Sequence, residues 1–449
     1  MLRREGSPAY FPSGDERIAI LNDPLMRRIR PLIDVCVVLH SQKASDVKKR
    51  IVVLGGDGFC GWPTALGLSA EGHAVTIIDN LSRRRIDAEL GAGSLTPIAD
   101  ITARLAAWKR ITGRRIEFLA IDVARDVKDL REAFRTIRPD TVVHFAEQRA
   151  APYSMRDAAH KRYTVDNNIN GTHNVLATLV ELGLDTHVVH LGTMGVYGYD
   201  GDGLELPEGY LDVTVSGPDG EAYPRSILYP TQPGSIYHLT KSMDQLLFQF
   251  YARNDGLRIT DLHQGIVWGT QTAETRLDPE LVNRFDYDGD YGTVLNRFLM
   301  QAAAGHPLTV HGTGGQTRAF INIQDTVRCV GLAVANPPAR GERVKILNQV
   351  AETHRVRDLA RLVAEITGAT IALVDNPRQE AAENTLKVSN RGFRRLGLDP
   401  ILLRDSLLAE TLEVVERYKH RANFDAVPAT ALWTVNNRPG VVRQAADAA

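Results

Sequence analysis

The stretch Ile51-Val52-Val53-Leu54-Gly55-Gly56-Asp57-Gly58-Phe59-Cys60-Gly61 joins a short apolar run to a glycine-rich loop. A helical pattern follows at 63–70, and a second run rich in β-branched residues, 74–79, ends in Asp79. Buried parallel strands read as continuous apolar runs, so this order of strand, glycine turn, helix and strand is a βαβ unit. It predicts an α/β fold of the Rossmann type, with a doubly wound parallel sheet built outward from residue 51.

The same alternation continues along the chain. We expect further strands at 116–121, 141–145, 187–191 and 258–264, separated by helices at 127–137, 168–182 and 237–254. After Gly265 the pattern loosens, with short helices expected at 293–304 and 355–367. The segment 201–234 is dense in glycine and proline, which predicts a long loop.

These patterns predict four parts of the chain. Residues 1–48 are expected to be a disordered extension, and 49–265 a dinucleotide-binding Rossmann domain that carries the catalytic residues. A smaller C-terminal substrate-binding domain is expected at 266–422, followed by a C-terminal tail at 423–449.

Composition excludes several classes of protein. The chain has 449 residues, 43% of them apolar, and its formal charge of −1 gives no reason to expect nucleic acid or an anionic membrane as a partner. Its three cysteines are far apart and form neither a disulfide framework nor a zinc-site spacing. No apolar run approaches the ~20 residues of a membrane span. We therefore expect a cytoplasmic protein that binds no metal and does not insert into a membrane. If 1–48 is a transit peptide, we expect the protein in the plastid stroma instead.

The glycine loop predicts a cofactor site. Gly55, Gly58 and Gly61 directly follow a strand, where a tight turn and free N–H groups at a helix N-terminus accept a pyrophosphate. Asp79 lies 21 positions past Gly58 and is placed to bind the adenosine ribose hydroxyls, which favours NAD over NADP. The expected cofactor contacts are Gly55, Asp57, Gly58, Phe59, Cys60, Gly61, Asp79, Asn80, Arg83, Asp122, Tyr237 and Lys241.

Two of these cofactor contacts have open alternatives. Arg83, with its neighbours Arg84 and Arg85, either contacts the cofactor or belongs to a solvated loop. Asp122 ends the third strand, where its carboxylate either reaches the adenine amine or caps the helix that follows.

A second motif predicts the chemistry. Tyr237 and Lys241 are four residues apart and fall on one helix face, so the ammonium is expected to lower the pKa of the phenol. A phenolate can take the proton of an alcohol as its hydride leaves. Thr193, after another predicted strand, would hold the reacting oxygen and complete a Thr/Tyr/Lys triad.

Together these parts resemble the extended short-chain dehydrogenase/reductase superfamily, whose members mostly modify nucleotide sugars. Longer stretches are similar to the UDP-sulfoquinovose synthase family: 55–62, 94–98, Trp108-Lys109, 144–155, 192–195 and 312–318. Val196 departs from that pattern, in which we expect a carboxylate, so another residue must supply any acid–base group needed there.

The resemblance implies a reaction and its partners. UDP-glucose would be oxidised at C4 by tightly bound NAD that is recycled within the cycle. Water would then leave from C5/C6, sulfite would add at C6, and C4 would be reduced again to give UDP-sulfoquinovose, the sulfolipid head-group donor. The superfamily's pairing through two long helices implies a homodimer. The alternatives are a 4-epimerase or 4,6-dehydratase of the same superfamily and a non-catalytic dinucleotide-sensing scaffold.

Substrate contacts follow from the same resemblance and from charge. A diphosphate is well matched by a guanidinium, which favours Arg318 and Arg378, although each could instead form a surface salt bridge. Gln148 and Arg149 could hold the sugar or the sulfite anion, or could support a loop. The expected substrate-binding residues are Gln148, Arg149, Thr193, Gln264, Asn296, Arg318 and Arg378.

Overall fold

The computed structural model describes residues 47–198, 202–376, 378, 380–404 and 407–428. In chain order the strands are β1 Arg50–Leu54, β2 Ala74–Ile78, β3 Ile116–Leu119, β4 Thr141–His144, β5 His187–Thr193, β6 Asp202–Leu206, β7 Tyr210–Ser216, β8 Ala222–Leu228, β9 Arg258–Gln264, β10 Ile266–Trp268, β11 Leu308–His311, β12 Thr317–Asn322, β13 Lys345–Gln349, β14 Glu352–Arg355, β15 Ile371–Val374 and β16 Thr385–Val388.

The α-helices alternate with these strands. They are α1 Gly61–Ala70, α2 Ser82–Leu90, α3 Ile101–Thr112, α4 Val127–Ile137, α5 Ala151–Met155, α6 Ala158–Glu181, α7 Ile236–Asp255, α8 Val294–Ala303, α9 Ile323–Ala335, α10 Val356–Thr367, α11 Arg391–Arg395 and α12 Leu407–Tyr418. None of the described helices has the length and apolarity needed to cross a membrane.

Among the described residues, seven strands form one sheet in the order β3-β2-β1-β4-β5-β9-β13. Every neighbouring pair in it is parallel. The predicted Rossmann-type doubly wound sheet is therefore confirmed, including all six of its predicted strands. The seventh strand, β13, comes from the part of the chain that was expected to form the smaller domain.

Alternate residues of β1 face opposite sides of the sheet and build two cores. Ile51 and Val53 belong to one apolar cluster, which includes residues of α1, α3 and α9. Val52 and Leu54 belong to another, which includes residues of α4, α6 and α7. Strand order reverses between β1 and β4, and in open α/β sheets ligands bind beyond the carboxyl ends of the strands at such a point.

A third core lies in the C-terminal part. It joins residues of β10, β11 and β12 to α8, α10 and α12, with Trp268 and Phe298 fully buried. The described residues from Lys48 onward belong to one compact unit. The division of this unit at 265 remains a prediction.

Three local predictions are corrected. The long loop expected at 201–234 contains β6 and an antiparallel hairpin, β7 and β8, joined by a turn at Gly217 and Gly220. The helix expected from 168 begins at Ala158, where Asp157 caps it. The tail expected from 423 is ordered at its start, since Val427 packs into the third core. The extension expected at 1–48 lies outside the described residues except for 47 and 48.

Candidate active site

A cavity of about 390 Å³ lies at the carboxyl ends of the parallel strands. It is lined by residues that follow β1, β2, β4, β5 and β9, so the sheet edge gathers segments that are far apart in sequence. Of the residues predicted for cofactor, catalysis and substrate, all except Asn296 line this cavity.

The glycine loop forms a tight backbone cradle. Gly55 has φ +77°, and a Cβ there would lie 2.7 Å from the carbonyl carbon of Phe145. A Cβ on Gly61 would lie 2.1 Å from the Gly55 oxygen, so only glycine lets α1 start this close to β1. The N-terminus of α1 thereby points into the cavity, which fits a dinucleotide pyrophosphate.

Asp79 is held at the end of β2 by two backbone amides. Asp57 N donates to Oδ2 at 2.9 Å and Leu81 N donates to Oδ1 at 2.7 Å. Burial nevertheless raises the pKa of Asp79 to about 6, because desolvation outweighs these two hydrogen bonds. An acidic group in this position fits the ribose of a dinucleotide.

Asp122 and Asn80 line the cavity next to Asp79. Asn80 Nδ2 donates to Asp122 Oδ2 at 3.0 Å, while Ala124 N donates to Asp122 Oδ1 at 3.0 Å. The N-cap of α4 is Asp126, so the helix-capping alternative for Asp122 is wrong.

The arginines after Asp79 have protein partners. Arg83 forms ion pairs with Asp87 and Asp286, and its guanidinium lies 3.7 Å from the ring centre of Tyr291. Arg84 Nε donates to Asp57 Oδ2 at 2.6 Å. The solvated-loop alternative is therefore wrong for Arg83, which ties α2 to the segment around residue 286.

Tyr237 lies in the first turn of α7. The helix starts after Ser235, whose hydroxyl accepts a hydrogen bond from His238 N at 3.2 Å. Burial raises the pKa of Tyr237, whereas Lys241 and a hydrogen bond with Thr193 lower it. Lys241 lowers the pKa of this phenol as predicted, but burial outweighs that effect and the net shift is upward.

Lys241 is buried among partners that sequence reasoning did not assign. Its Nζ lies 2.9 Å from Glu147 Oε2 and 3.0 Å from His190 Nε2, and it donates to the Leu191 carbonyl at 2.6 Å. Burial lowers the pKa of Lys241, but Glu147, Tyr237 and Asp244 together outweigh burial and raise it. Glu147 stands in the stretch that carries the family resemblance, but nothing in that stretch indicates its pairing with Lys241.

Gln148 is both a cavity residue and a structural one. Its Nε2 donates to the Ala150 carbonyl and to Thr164 Oγ1, each at 3.0 Å. Asn168 Oδ1 accepts from Gln148 N at 2.8 Å, which fixes the loop after β4 from the middle of α6. These contacts favour the loop-supporting alternative for the Gln148 side chain.

Arg149 and Gln264 border the catalytic end of the cavity. Arg149 forms an ion pair with Asp286 and lies 5.6 Å from the ring centre of Phe59. Its charge lowers the pKa of Tyr237, which places it near the triad. Gln264 Nε2 donates to Thr326 Oγ1 at 3.2 Å.

Cys60 also lines this end of the cavity. Burial raises the pKa of the Cys60 thiol to about 11, so the thiol stays protonated at neutral pH.

A group of arginines lines another wall of the cavity. Arg318 forms an ion pair with Glu380, and Arg378 lines the same wall. Arg297 was missed from sequence; burial and the charge of Arg378 lower its pKa to about 10. Its neighbour Asn296, which was predicted instead, is buried and donates to the Asp286 carbonyl at 2.9 Å.

Arg297 lines the cavity and Asn296 does not, although the two are neighbours on α8. Successive helical residues point about 100° apart, so neighbours face different surroundings. His311 also lines this wall. Burial and the charges of Arg297 and Arg378 lower its pKa to about 4.

The fold and site agree with a defined class of protein. Residues 51–348 match the model of the NAD dependent epimerase/dehydratase family, and the chain belongs to this family. It is 46% identical over 392 residues, covering 86% of the chain and 79% of the relative, to the chloroplastic UDP-sulfoquinovose synthase of Spinacia oleracea. It is 38% identical over 386 residues, 83% of the chain and 95% of the relative, to the UDP-sulfoquinovose synthase of Sulfolobus acidocaldarius.

Solved structures share the fold at lower identity. A UDP-glucose 4-epimerase from Thermotoga maritima, solved with UDP-glucose, is 21% identical with a TM-score of 0.59, covering 82% of this chain and 98% of that one. DesIV, a dTDP-glucose 4,6-dehydratase from Streptomyces venezuelae solved with NAD, is 21% identical with a TM-score of 0.61. The match covers 83% of this chain and 98% of DesIV. Both support the fold alone.

Proposed function

We propose that this chain is a UDP-sulfoquinovose synthase, which converts UDP-glucose and sulfite to UDP-sulfoquinovose. The observation that carries this conclusion is the 46% identity to a synthase of that name over 86% of the chain. The glycine cradle, the Thr193/Tyr237/Lys241 triad and the arginine group line one cavity, which supports it. The product supplies the sulfolipid head group.

The residues divide the work between binding and proton transfer. Bound NAD supplies reversible removal of a hydride from C4 of the sugar. The glycine cradle and Asp79 hold the dinucleotide, Thr193 holds the C4 oxygen and Tyr237 moves its proton. A ketone at C4 acidifies the C5 proton, so water can leave across C5/C6 and sulfite can add at C6. Re-reduction at C4 then completes the product.

NAD remains bound through the cycle in this proposal, because the same molecule must return the hydride that it took. The support is a set of ion pairs that hold the segment 284–286 against the cofactor side. Asp286 pairs with Arg83 and Arg149, and Arg284 Nη2 lies 2.8 Å from Asp87 Oδ1. These contacts join the segment to α2 and to the loop after β4.

The two anionic parts of the substrates bind at different ends of the cavity. The diphosphate of UDP-glucose binds the wall formed by Arg297, Arg318 and Arg378, where guanidinium groups lie close enough to affect one another. Sulfite approaches beside Arg149, because the charge of this guanidinium reaches Tyr237.

The assembly is a homodimer paired through α6 and α7. The support is a row of exposed apolar side chains on α7, spaced four, three and four residues apart. Leu239 is 39% exposed, Met243 38%, Leu246 64% and Phe250 53%. Such a row on a long helix is typical of a helix–helix interface.

One assay tests the activity. The purified protein is incubated with UDP-glucose and sulfite, and the nucleotide sugars are identified by mass spectrometry, with chromatography to separate the glucose and galactose epimers. The sulfonated nucleotide sugar is the expected product. UDP-galactose alone would identify a 4-epimerase, and a 4-keto-6-deoxy sugar a 4,6-dehydratase. No turnover with NAD bound would indicate a dinucleotide-sensing scaffold.

A further inference from the structure

A carboxylate from the loop after β4 anchors the Lys241 ammonium. Lys241 Nζ lies 2.9 Å from Glu147 Oε2, and the two side chains are only 3% and 2% exposed. Nζ also donates to the Leu191 carbonyl at 2.6 Å. Glu147 and Lys241 both line the cavity, so the pair is closely packed and still borders the space in which we expect cofactor and substrate.

A second cation shares the same carboxylate. His190 Nε2 lies 2.9 Å from Glu147 Oε1 and 3.0 Å from Lys241 Nζ. The other ring nitrogen, His190 Nδ1, lies 2.8 Å from Asp261 Oδ1. Burial and the neighbouring ammonium lower the pKa of His190, but its two carboxylate partners outweigh them and raise it to about 9. His190 is therefore an imidazolium at neutral pH, with one carboxylate at each ring nitrogen.

Glu147 balances the charge of these two cations. An ammonium and an imidazolium are both donors, so Lys241 and His190 cannot hydrogen-bond to each other across 3.0 Å, and their like charges repel. One oxygen of Glu147 lies beside each of them. Without this carboxylate, one of the two cations would have to lose its proton or move away.

The other groups that face Glu147 contribute less charge. Burial lowers the pKa of His144, at the end of β4, to about 3, so its ring is neutral. Burial and the charge of Glu147 raise the pKa of Asp244 on α7 well above its ordinary value, which favours the neutral acid. Thr172 of α6 offers a hydroxyl 3.4 Å from Glu147 Oε1. The negative charge that contacts Lys241 is therefore that of Glu147.

We propose that Glu147 is a positioning residue that anchors the Lys241 ammonium on the face of α7 that carries Tyr237, where Lys241 meets the nicotinamide ribose. An ammonium has three N–H groups. Glu147 and the Leu191 carbonyl engage two of them, which leaves one for a ribose hydroxyl of the dinucleotide. The inference rests on the proposed function, because it concerns the oxidation at C4 for which NAD is bound.

Glu147 also acts on the acidity of Tyr237. Burial raises the pKa of this phenol, Lys241 lowers it and Glu147 raises it. Two further groups near the phenol, Thr193 at the end of β5 and Arg149 in the loop after β4, lower it. Glu147 therefore opposes Lys241 at the phenol, and Tyr237 should become more acidic when the charge of Glu147 is removed.

The first test compares Glu147→Gln with Glu208→Gln in the full-length protein. Glu208 is a partly buried carboxylate that accepts from Gly392 N at 2.9 Å and lies outside the cavity lining, which makes it the matched control. Stopped-flow absorbance of NADH follows the oxidation after UDP-glucose is added without sulfite, over a series of pH values. The wild-type rate should rise with pH as Tyr237 loses its proton. This rise should move to lower pH in Glu147→Gln and stay in place in Glu208→Gln.

The direction of the shift depends on which cation keeps its proton. Histidine has a lower reference pKa than lysine, so His190 becomes neutral in Glu147→Gln while Lys241 stays charged. The phenol of Tyr237 then loses a charge that raises its pKa and keeps one that lowers it. A purely structural role of Glu147 would not move the pH profile.

A second variant, Glu147→Ala, removes the anchor as well as the charge. Glutamine keeps an oxygen that can accept from Lys241, whereas alanine keeps none. A misplaced ammonium should slow NAD reduction at saturating UDP-glucose by about tenfold or more relative to Glu147→Gln. The KM for UDP-glucose should change little, because Glu147 acts through Lys241 and not on the sugar.

A measurement without turnover completes the test. NMR of protein labelled with ¹⁵N-histidine should show one imidazole with a raised pKa, which His190→Asn identifies by its loss. In Glu147→Gln this imidazole should be neutral at neutral pH.

Four results would each overturn the proposal: an ordinary pKa for His190 in the wild type, an imidazole that stays charged in Glu147→Gln, an unshifted pH profile in that variant, or full rate in Glu147→Ala. If the wild type neither reduces NAD nor forms product, the proposed function has failed instead. The NMR comparison needs no turnover, so it still tests the charge balance around Glu147 in that case.

Discussion

In the proposed reaction, Tyr237 is the residue that moves the C4 proton. It lies beside Thr193 and Lys241, and burial holds its pKa above the ordinary value. Tyr237→Phe keeps the ring and removes the hydroxyl that moves the proton. We expect sulfonated product to fall by about 100-fold or more, measured by mass spectrometry, while bound NAD stays near the wild-type level. Product formed at the wild-type rate would show that another group moves the C4 proton.

We expect the single carboxylate of Asp79 to determine the preference for NAD over NADP. Its ionised form accepts hydrogen bonds from ribose hydroxyls and repels a 2′-phosphate. Asp79→Asn should weaken NAD binding by about tenfold, the loss of one charge-assisted hydrogen bond, and narrow the preference for NAD over NADP. Equilibrium dialysis against each dinucleotide measures both effects. An unchanged preference would mean that another residue excludes the 2′-phosphate.

The same carboxylate predicts a pH dependence. Because burial raises the pKa of Asp79 to about 6, the group gains a proton as the pH falls through that value. Protonation removes the charge that binds the ribose, so NAD affinity of the wild type should drop below pH 6. Asp79→Asn should lack this drop over the same range. Affinity that falls equally in both proteins would assign the effect to another group.

At the scale of an element, the turn between β1 and α1 depends on the absence of a side chain. A Cβ at Gly61 would lie 2.1 Å from the Gly55 oxygen, whereas a Cβ at Gly93 would meet no atom within 4 Å. Gly61→Ala should therefore destabilise the fold by about 1–3 kcal/mol through overpacking and reduce bound NAD. Gly93→Ala is the matched control and should do neither. Thermal unfolding and cofactor content measure the two effects, and equal results for both variants would contradict this explanation.

The strands were predictable from the sequence to different degrees. The strands of the parallel sheet were read from continuous β-branched runs, a signal that lies within each segment. The hairpin of β7 and β8 was missed because the glycine and proline density of 201–234 is typical of a loop, and only β7 alternates apolar and polar residues. β13 was missed because it lies far from the other strands of its sheet in sequence.

At the scale of the whole molecule, the exposed row on α7 predicts assembly. Leu246, at 64% exposure, is its most exposed member, and Leu373 of β15 is similarly exposed at 67%. Leu246→Glu should place a charge in the dimer interface and raise the dimer dissociation constant at least tenfold, a cost of roughly 1.4 kcal/mol or more. Leu373→Glu, outside α7, should leave the dimer intact. Sedimentation velocity compares them, and a wild-type monomer would refute the dimer directly.

The sequence by itself determined the parallel sheet, the glycine cradle, Asp79 and the Thr193/Tyr237/Lys241 triad. Each of these depends on residue types within a short segment, where backbone sterics and hydrophobic burial act locally. Only the tertiary structure brought Lys241, on a helix, into contact with Glu147 and His190, and His190 into contact with Asp261. Glu147, His190 and Asp261 lie on three different strands or at their ends. The protonation of a buried group is set by the charges packed around it, and those charges meet only when the sheet has formed.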